Sequence, residues 1–187
     1  MKSGIICLET EWEHTRRANR RPLRTEPLLE FVRKLHDCSV IYRRIATWSE
    51  LVYYMDRFSM REYKDYRVVY LSFHGMEGAI CLEGEKEKVT LDDLADNSNS
   101  FFADRSVHFS SCETFHLENR DLRKFKKDIG AEILSGYTTS VDGALSAIND
   151  IAYFNQLFEY DFSKMKVKKA MSKYYGELGE KLGFVII

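Results

Sequence analysis

Between Val68 and Phe73 the chain reads Val-Val-Tyr-Leu-Ser-Phe, apolar or aromatic at every position but one. Without a polar alternate, both faces of such a strand must be covered, as in a parallel sheet flanked by helices. The run has companions. Residues 3–8, Ser39 to Tyr42, the stretch leading into Cys112, Ala131 to Gly136 and Phe184 to Ile187 are all β-prone and largely apolar. Amphipathic segments separate them. Thr25-Glu26-Pro27 opens a helix with Leu28, Leu29, Phe31, Val32 and Leu35 on its apolar face. Thr47-Trp48-Ser49-Glu50 has the form of a capping box, and its helix carries Leu51, Val52, Tyr54, Met55 and Phe58. Further helices are predicted near 117–128, from Asp142 or Gly143 to about Phe158, and near 164–175. Gly78 to Leu91 reads as a hairpin with a charged turn from Gly84 to Lys88, and Thr90 to Asp93 caps a short helix. This alternation predicts an α/β fold, a three-layer sandwich with a largely parallel central sheet. At 187 residues, with no linker or repeat, a single domain over residues 1–187 is expected.

Charge and motifs narrow the function. A net charge of -1 supplies no global field for nucleic acid or an anionic membrane. No apolar run approaches the roughly 20 residues that span a bilayer, and Glu9 arrives too soon after Met1 for a signal peptide. Cys7, Cys38, Cys81 and Cys112 are scattered without CxxC spacing, so reduced thiols in a cytoplasmic protein are expected. Cys7, Cys38 and Cys81 read as packing residues. There is no GxxxxGK[ST] or GxGxxG string and no EF-hand spacing, so no cofactor or metal is expected. The one local charge excess, Arg16, Arg17, Arg20, Arg21 and Arg24, reads as a solvated loop.

Two of the predicted strands end in reactive side chains. Tyr70-Leu71-Ser72-Phe73-His74-Gly75 delivers an imidazole, and Val107 through Cys112 delivers a thiol. If these strands are parallel neighbours, His74 and Cys112 meet at the carboxyl rim of the sheet, where α/β folds gather their ligands. An imidazole beside a thiol can take its proton, and the thiolate then attacks a carbonyl carbon. The oxyanion that forms needs oriented donors, and the backbone N–H groups of Gly75 and Cys112 are the candidates. His108, inside its strand, reads as a core or face residue. His116, four positions after Cys112, is a weaker candidate for a second base or a metal ligand.

A strand ending in His-Gly followed by one ending in Ser-Cys resembles the caspase-like cysteine peptidases. The closer resemblance is to the CHAT domains, through Ser111-Cys112-Glu113-Thr114 and the later Gly130 to Asp142 segment. It runs from about Tyr66 to Phe158, roughly half the chain. It implies a cysteine endopeptidase with a His74–Cys112 dyad, no third member, and a protein or peptide substrate. The Q-A-C-[RQG]-G string of caspases is absent, so a preference for aspartate is not implied. CHAT domains usually sit in longer chains with sensor or repeat domains; a regulatory protein partner therefore belongs to the same expectation.

Asp142 stands where related members place a pocket acid, and with Ser110 it is a candidate substrate-binding residue. It would favour Arg or Lys before the scissile bond. Asp142 equally suits the N-cap of the following helix. Glu9 and Glu11, at the end of the first strand, are a second source of pocket acidity. Cleavage after arginine would make the Arg16–Arg24 stretch a target of self-cleavage. The competing readings are a catalytically inactive interaction module on the same fold, as in a sensing or defence complex, and a nucleotide-handling α/β domain. The second lacks a phosphate-cradling glycine loop.

Overall fold

A computed structural model describes residues 3–11 and 25–187; the Arg16–Arg24 stretch lies outside them. Among the described residues, nine strands and six α-helices follow in order. β1 (Gly4–Glu9), α1 (Glu26–His36), β2 (Ser39–Arg44) and α2 (Trp48–Phe58) precede β3 (Val68–Ser72). Three short strands come next, β4 (His74–Met76), β5 (Ala79–Cys81) and β6 (Val89–Thr90), then α3 (Leu91–Asp96) and β7 (Ser106–Ser110). The chain finishes with α4 (Asn119–Asp128), β8 (Ile133–Tyr137), α5 (Gly143–Glu159), α6 (Lys164–Leu182) and β9 (Phe184–Ile186). The main sheet has six strands in the order β2-β1-β3-β7-β8-β9, parallel except for β9.

The period of two along each central strand sorts its side chains into two separate cores. Ile6, Leu8, Val69, Leu71, Val107 and Phe109 face one way, against Leu51, Met55 and Phe58 of α2 and Leu122 and Phe125 of α4. Ile5, Cys7, Val68 and Tyr70 face the other way, against α1 (Leu29, Val32), α5 (Tyr153, Phe154, Leu157) and α6 (Val167, Met171). β1, β3, β7 and β8 are buried at every position, as the missing polar alternate predicted for β3; β7 is buried despite polar residues at every other position. Each Val, Leu, Ile or Phe among them contributes about 1.5–3 kcal/mol on full burial. The result is the expected three-layer sandwich.

Local signals set the helix starts. Thr47 Oγ1 accepts from Glu50 N–H at 3.3 Å and Glu50 returns the bond to Thr47 N–H at 3.1 Å, the predicted capping box. Thr90 and Asp93 repeat it at α3. Thr25 does not cap α1; its N–H donates instead to Glu9 Oε1 at 3.0 Å. Arg105 is buried just before β7 and its guanidinium donates to the carbonyls of Phe58, Tyr63 and Phe101 at 2.6–2.9 Å. Burial lowers it to about 10. No helix among the described residues is long and apolar enough to cross a membrane.

Three details differ from the sequence reading. The predicted hairpin is a three-stranded antiparallel sheet that begins at His74, because β3 stops at Ser72 and the chain turns out of the main sheet. The last helix continues past 175 to Leu182, across a break in helical geometry at Tyr175 (φ -134°, ψ 19°). The final strand returns antiparallel to β8, because the left-handed Gly183 (φ 60°) reverses the chain directly after α6.

Candidate active site

β3 and β7 are hydrogen-bonded parallel neighbours in a register that sets Ser72 opposite Ser110. Two residues beyond each partner in sequence stand His74 and Cys112, past the carboxyl ends of the two strands. Both are half-buried, and both line one cavity of about 330 Å³.

The thiol sits on a turn held by its neighbours. Cys112 Sγ lies 3.5 Å from the Val141 N–H, which donates to it, and 4.0 Å from Ser140 Oγ. Glu113 adopts a left-handed backbone (φ 56°) while its N–H donates to Thr139 O at 3.0 Å, and Phe115 N–H donates to Tyr137 O. The turn is thereby strapped to the chain leaving β8. Thr114, fully buried, shares a hydrogen bond with Ser111 Oγ at 2.8 Å and donates to the Ala79 and Cys112 carbonyls, both at 3.3 Å.

Gly75 explains the His-Gly pair. A Cβ there would meet Cys112 O at 2.3 Å, Thr114 Oγ1 at 2.4 Å and Ser111 Cβ at 2.8 Å. Only glycine lets β4 lie against the thiol's turn, which brings the imidazole of His74 to the same cavity. Cys81 stands opposite His74 in the β4–β5 ladder and is half-buried.

The deep part of the cavity is acidic. Its lining includes Glu9, Tyr70, Ser72, Ser110 and Asp150. Asp150 is fully buried, and its carboxylate accepts four hydrogen bonds: from His108 Nε2, Tyr70 OH and Ser110 Oγ at 2.7 Å each, and from Tyr137 OH. Burial is the largest influence on this carboxyl and acts to raise it. The His108 charge and the donated hydrogen bonds outweigh burial and hold it below its ordinary value. The same carboxylate, after burial itself, pushes the Tyr70 and Tyr137 phenols up. Glu9, also buried, accepts from Thr25 N–H at 3.0 Å, from Ser72 Oγ at 3.5 Å and from Tyr42 OH.

His74, Cys112, Ser110 and Glu9 thus share one cavity. Asp142 is corrected: it is the N-cap of α5, its Oδ1 accepting from Ala144 and Leu145 N–H at 3.0 Å each, and Gly143 rather than Asp142 lines the cavity. Glu11 is turned away into an ion pair with Arg44. His116 is exposed, and its N–H donates to Glu113 O. His108 is the core residue expected, its Nδ1 3.0 Å from Ser135 Oγ. Among the described residues no group of three or more His, Cys, Asp or Glu could hold a metal ion.

Sequence reasoning missed Asp150. Its signal was the one carboxylate on the buried face of α5, in helical phase with Ser146, Tyr153 and Leu157. Thr114 was quoted as part of a motif, but its structural role was not read from it.

The chain belongs to a family of unknown function, DUF6642, whose model matches residues 2–187. No curated protein matches it. Among solved structures it is similar to the crystal structure of caspase-1 from Spodoptera frugiperda, with a TM-score of 0.56 and 12% sequence identity. That likeness covers 91% of this chain and 77% of the other. It shows a caspase-like fold.

Proposed function

We propose that this DUF6642 chain is a cysteine endopeptidase that cuts after basic residues, with His74 and Cys112 as its dyad. What carries the reading is one cavity lined by an imidazole and a thiol that follow two registered neighbouring strands, with two carboxylate side chains in its deeper lining.

In the reaction, the Cys112 proton passes to the His74 imidazole and the sulfur adds to the scissile carbonyl carbon. The N–H groups of Gly75 and Cys112 donate to the oxyanion. The amide C–N bond then breaks, the leaving amine takes the proton from His74, and a thioester remains on Cys112. Water, deprotonated by His74, hydrolyses the thioester and restores the thiol.

Substrate preference follows from the lining. The residue before the scissile bond enters the cavity, where the Glu9 carboxylate meets it and the buried Asp150 adds negative charge behind the wall. Both are substantially satisfied by internal donors, so their orientation is fixed before a substrate arrives. An arginine or lysine gains a charge-assisted contact there, while an aspartate meets like charge.

The test pairs labelling with turnover. An electrophilic thiol probe is expected to modify Cys112 much faster than Cys7, Cys38 or Cys81. Peptide reporters with Arg or Lys before the cut should be hydrolysed by the wild type and not by Cys112→Ala. Cys81→Ser serves as the control for the thiol opposite His74. Equal, slow labelling of all four thiols with no turnover would overturn the peptidase reading and leave an interaction module on the same fold.

A further inference from the structure

On the rim opposite the cleft lies a second concavity of about 600 Å³, between α4, the turn that leads into β8, the start of α6 and the end of β9. Its lining carries five cationic side chains: Arg123, Lys126, Lys127, Lys164 and Lys168. The chain as a whole has a net charge of -1, so this is a local concentration of one sign.

Internal partners do not balance it. Of the nearby carboxylates, Glu132 is paired with Arg67 at 3.3 Å and Asp128 with Lys124 at 2.7 Å. Lys168 Nζ donates to the Ile186 carbonyl at 3.3 Å, a bond that leaves its charge in place. Lys126 and Lys164 interact directly as like charges, and the Lys126 ammonium is lowered first by burial and then by Lys164, with Glu132 offsetting only part of this. Lys126 and Lys127 also complement the carbonyl end of α4, which accounts for two of the five cations. A carboxylate on Ile187 would still leave the groove strongly positive. Repulsion kept at a concave site, beyond the two cations that the end of α4 accounts for, marks a place shaped for a ligand.

Shape selects the ligand class. The cations come from two helices facing one hollow, not from a stripe along the surface, and the hollow is within the size range of small-molecule sites. The first turn of α6 adds backbone donors, since Ser163 makes no side-chain cap bond to them and Lys164 is the first helical residue. We propose that this groove binds a compact polyphosphorylated anion, with several phosphate charges in a small volume. Arg123 is suited to grip one phosphate through two parallel N–H bonds, and the lysines to neutralise the others. The groove contains neither His74 nor Cys112 and does not depend on the peptidase reading.

Calorimetric titration with inorganic tripolyphosphate tests it at physiological ionic strength. Tripolyphosphate should bind, and orthophosphate should bind on the order of tenfold more weakly or less. The double variant Lys126→Gln/Lys164→Gln should lose about tenfold or more in tripolyphosphate affinity while its unliganded melting temperature rises, because a repulsive pair has been removed. That rise separates loss of a site from loss of the fold. Cys112→Ala should bind like the wild type. The proposal is overturned if tripolyphosphate gives no binding, or if the double variant binds it unchanged. It is equally overturned if a DNA duplex binds more tightly than tripolyphosphate through the same lysines, since the groove would then serve an extended polyanion.

Discussion

Two buried acids determine the character of the cleft at the scale of single residues. Glu9 lines the cavity and accepts from Thr25, Ser72 and Tyr42. Glu9→Gln keeps the shape and removes the charge. It is expected to lower kcat/KM for Arg and Lys reporters by about tenfold to a hundredfold, the worth of one charge-assisted hydrogen bond, with Cys112 labelling largely retained. Asp150 is more deeply committed, with four donors on one carboxylate. Asp150→Asn should cost about 3 kcal/mol or more in denaturant unfolding, since it leaves His108 and two tyrosines around a group that no longer matches them. The sign with pH follows from its lowered folded value. Its stabilising contribution is complete above the unfolded value of about 3.9 and is lost as pH falls through the lower folded value. Stability measured from pH 6 downward should therefore fall more steeply near pH 3 in the wild type than in Asp150→Asn. Of these acids, Glu9 was legible as a strand-end carboxylate. Asp150 was not singled out, because one helical turn cannot say which face another layer will cover. Asp142 had two open readings, and the choice needed the actual start of α5.

The site's geometry is a matter of elements: β4 laid against the turn that follows β7. The contact is close enough that Gly75→Ala must push backbone atoms apart, with Cys112 O 2.3 Å from the added carbon. The expected outcome is a loss of Cys112 probe reactivity of an order of magnitude or more, together with lower thermal stability. Thr114→Val keeps the volume and removes the bridge from the turn to Ser111 and β5. Leaving buried partners unsatisfied, it should cost about 1–3 kcal/mol in chemical denaturation and slow Cys112 labelling. At this scale the sequence was most readable where one signal decides the outcome: the buried strands, the Thr47 and Thr90 caps, the helix after Asp142. It was least readable where tertiary contacts override local pattern. His74 looked like the end of β3, yet it opens a separate sheet, because pairing with Cys81 and the fit of Gly75 against Cys112 draw the chain aside. The direction of β9 carries no periodic signature at all, since an apolar strand reads the same either way.

The whole molecule is two apolar cores sharing one sheet. Neither helical layer has a sheet of its own to cover, so the layers should melt together. Calorimetry is expected to give a single transition with equal calorimetric and van't Hoff enthalpies. Leu51→Ala on one face and Leu157→Ala on the other, both essentially inaccessible to solvent, should each cost about 2–5 kcal/mol and shift that one transition. Two separated transitions would divide the chain into independent units. Parallel strands also sort the surface by charge and chemistry: their carboxyl rim bears the acidic cleft, their opposite rim the cationic groove.

The reversed last strand has a practical corollary. β1 begins at Gly4 on the rim away from the thiol, and β9, running against β8, carries Ile187 back to that same rim beside Leu134. Cargo, a purification handle or a neighbouring domain joined beside Gly4 or Ile187 would hang on the rim away from the cleft. The mouth of the cleft would stay clear on the other side.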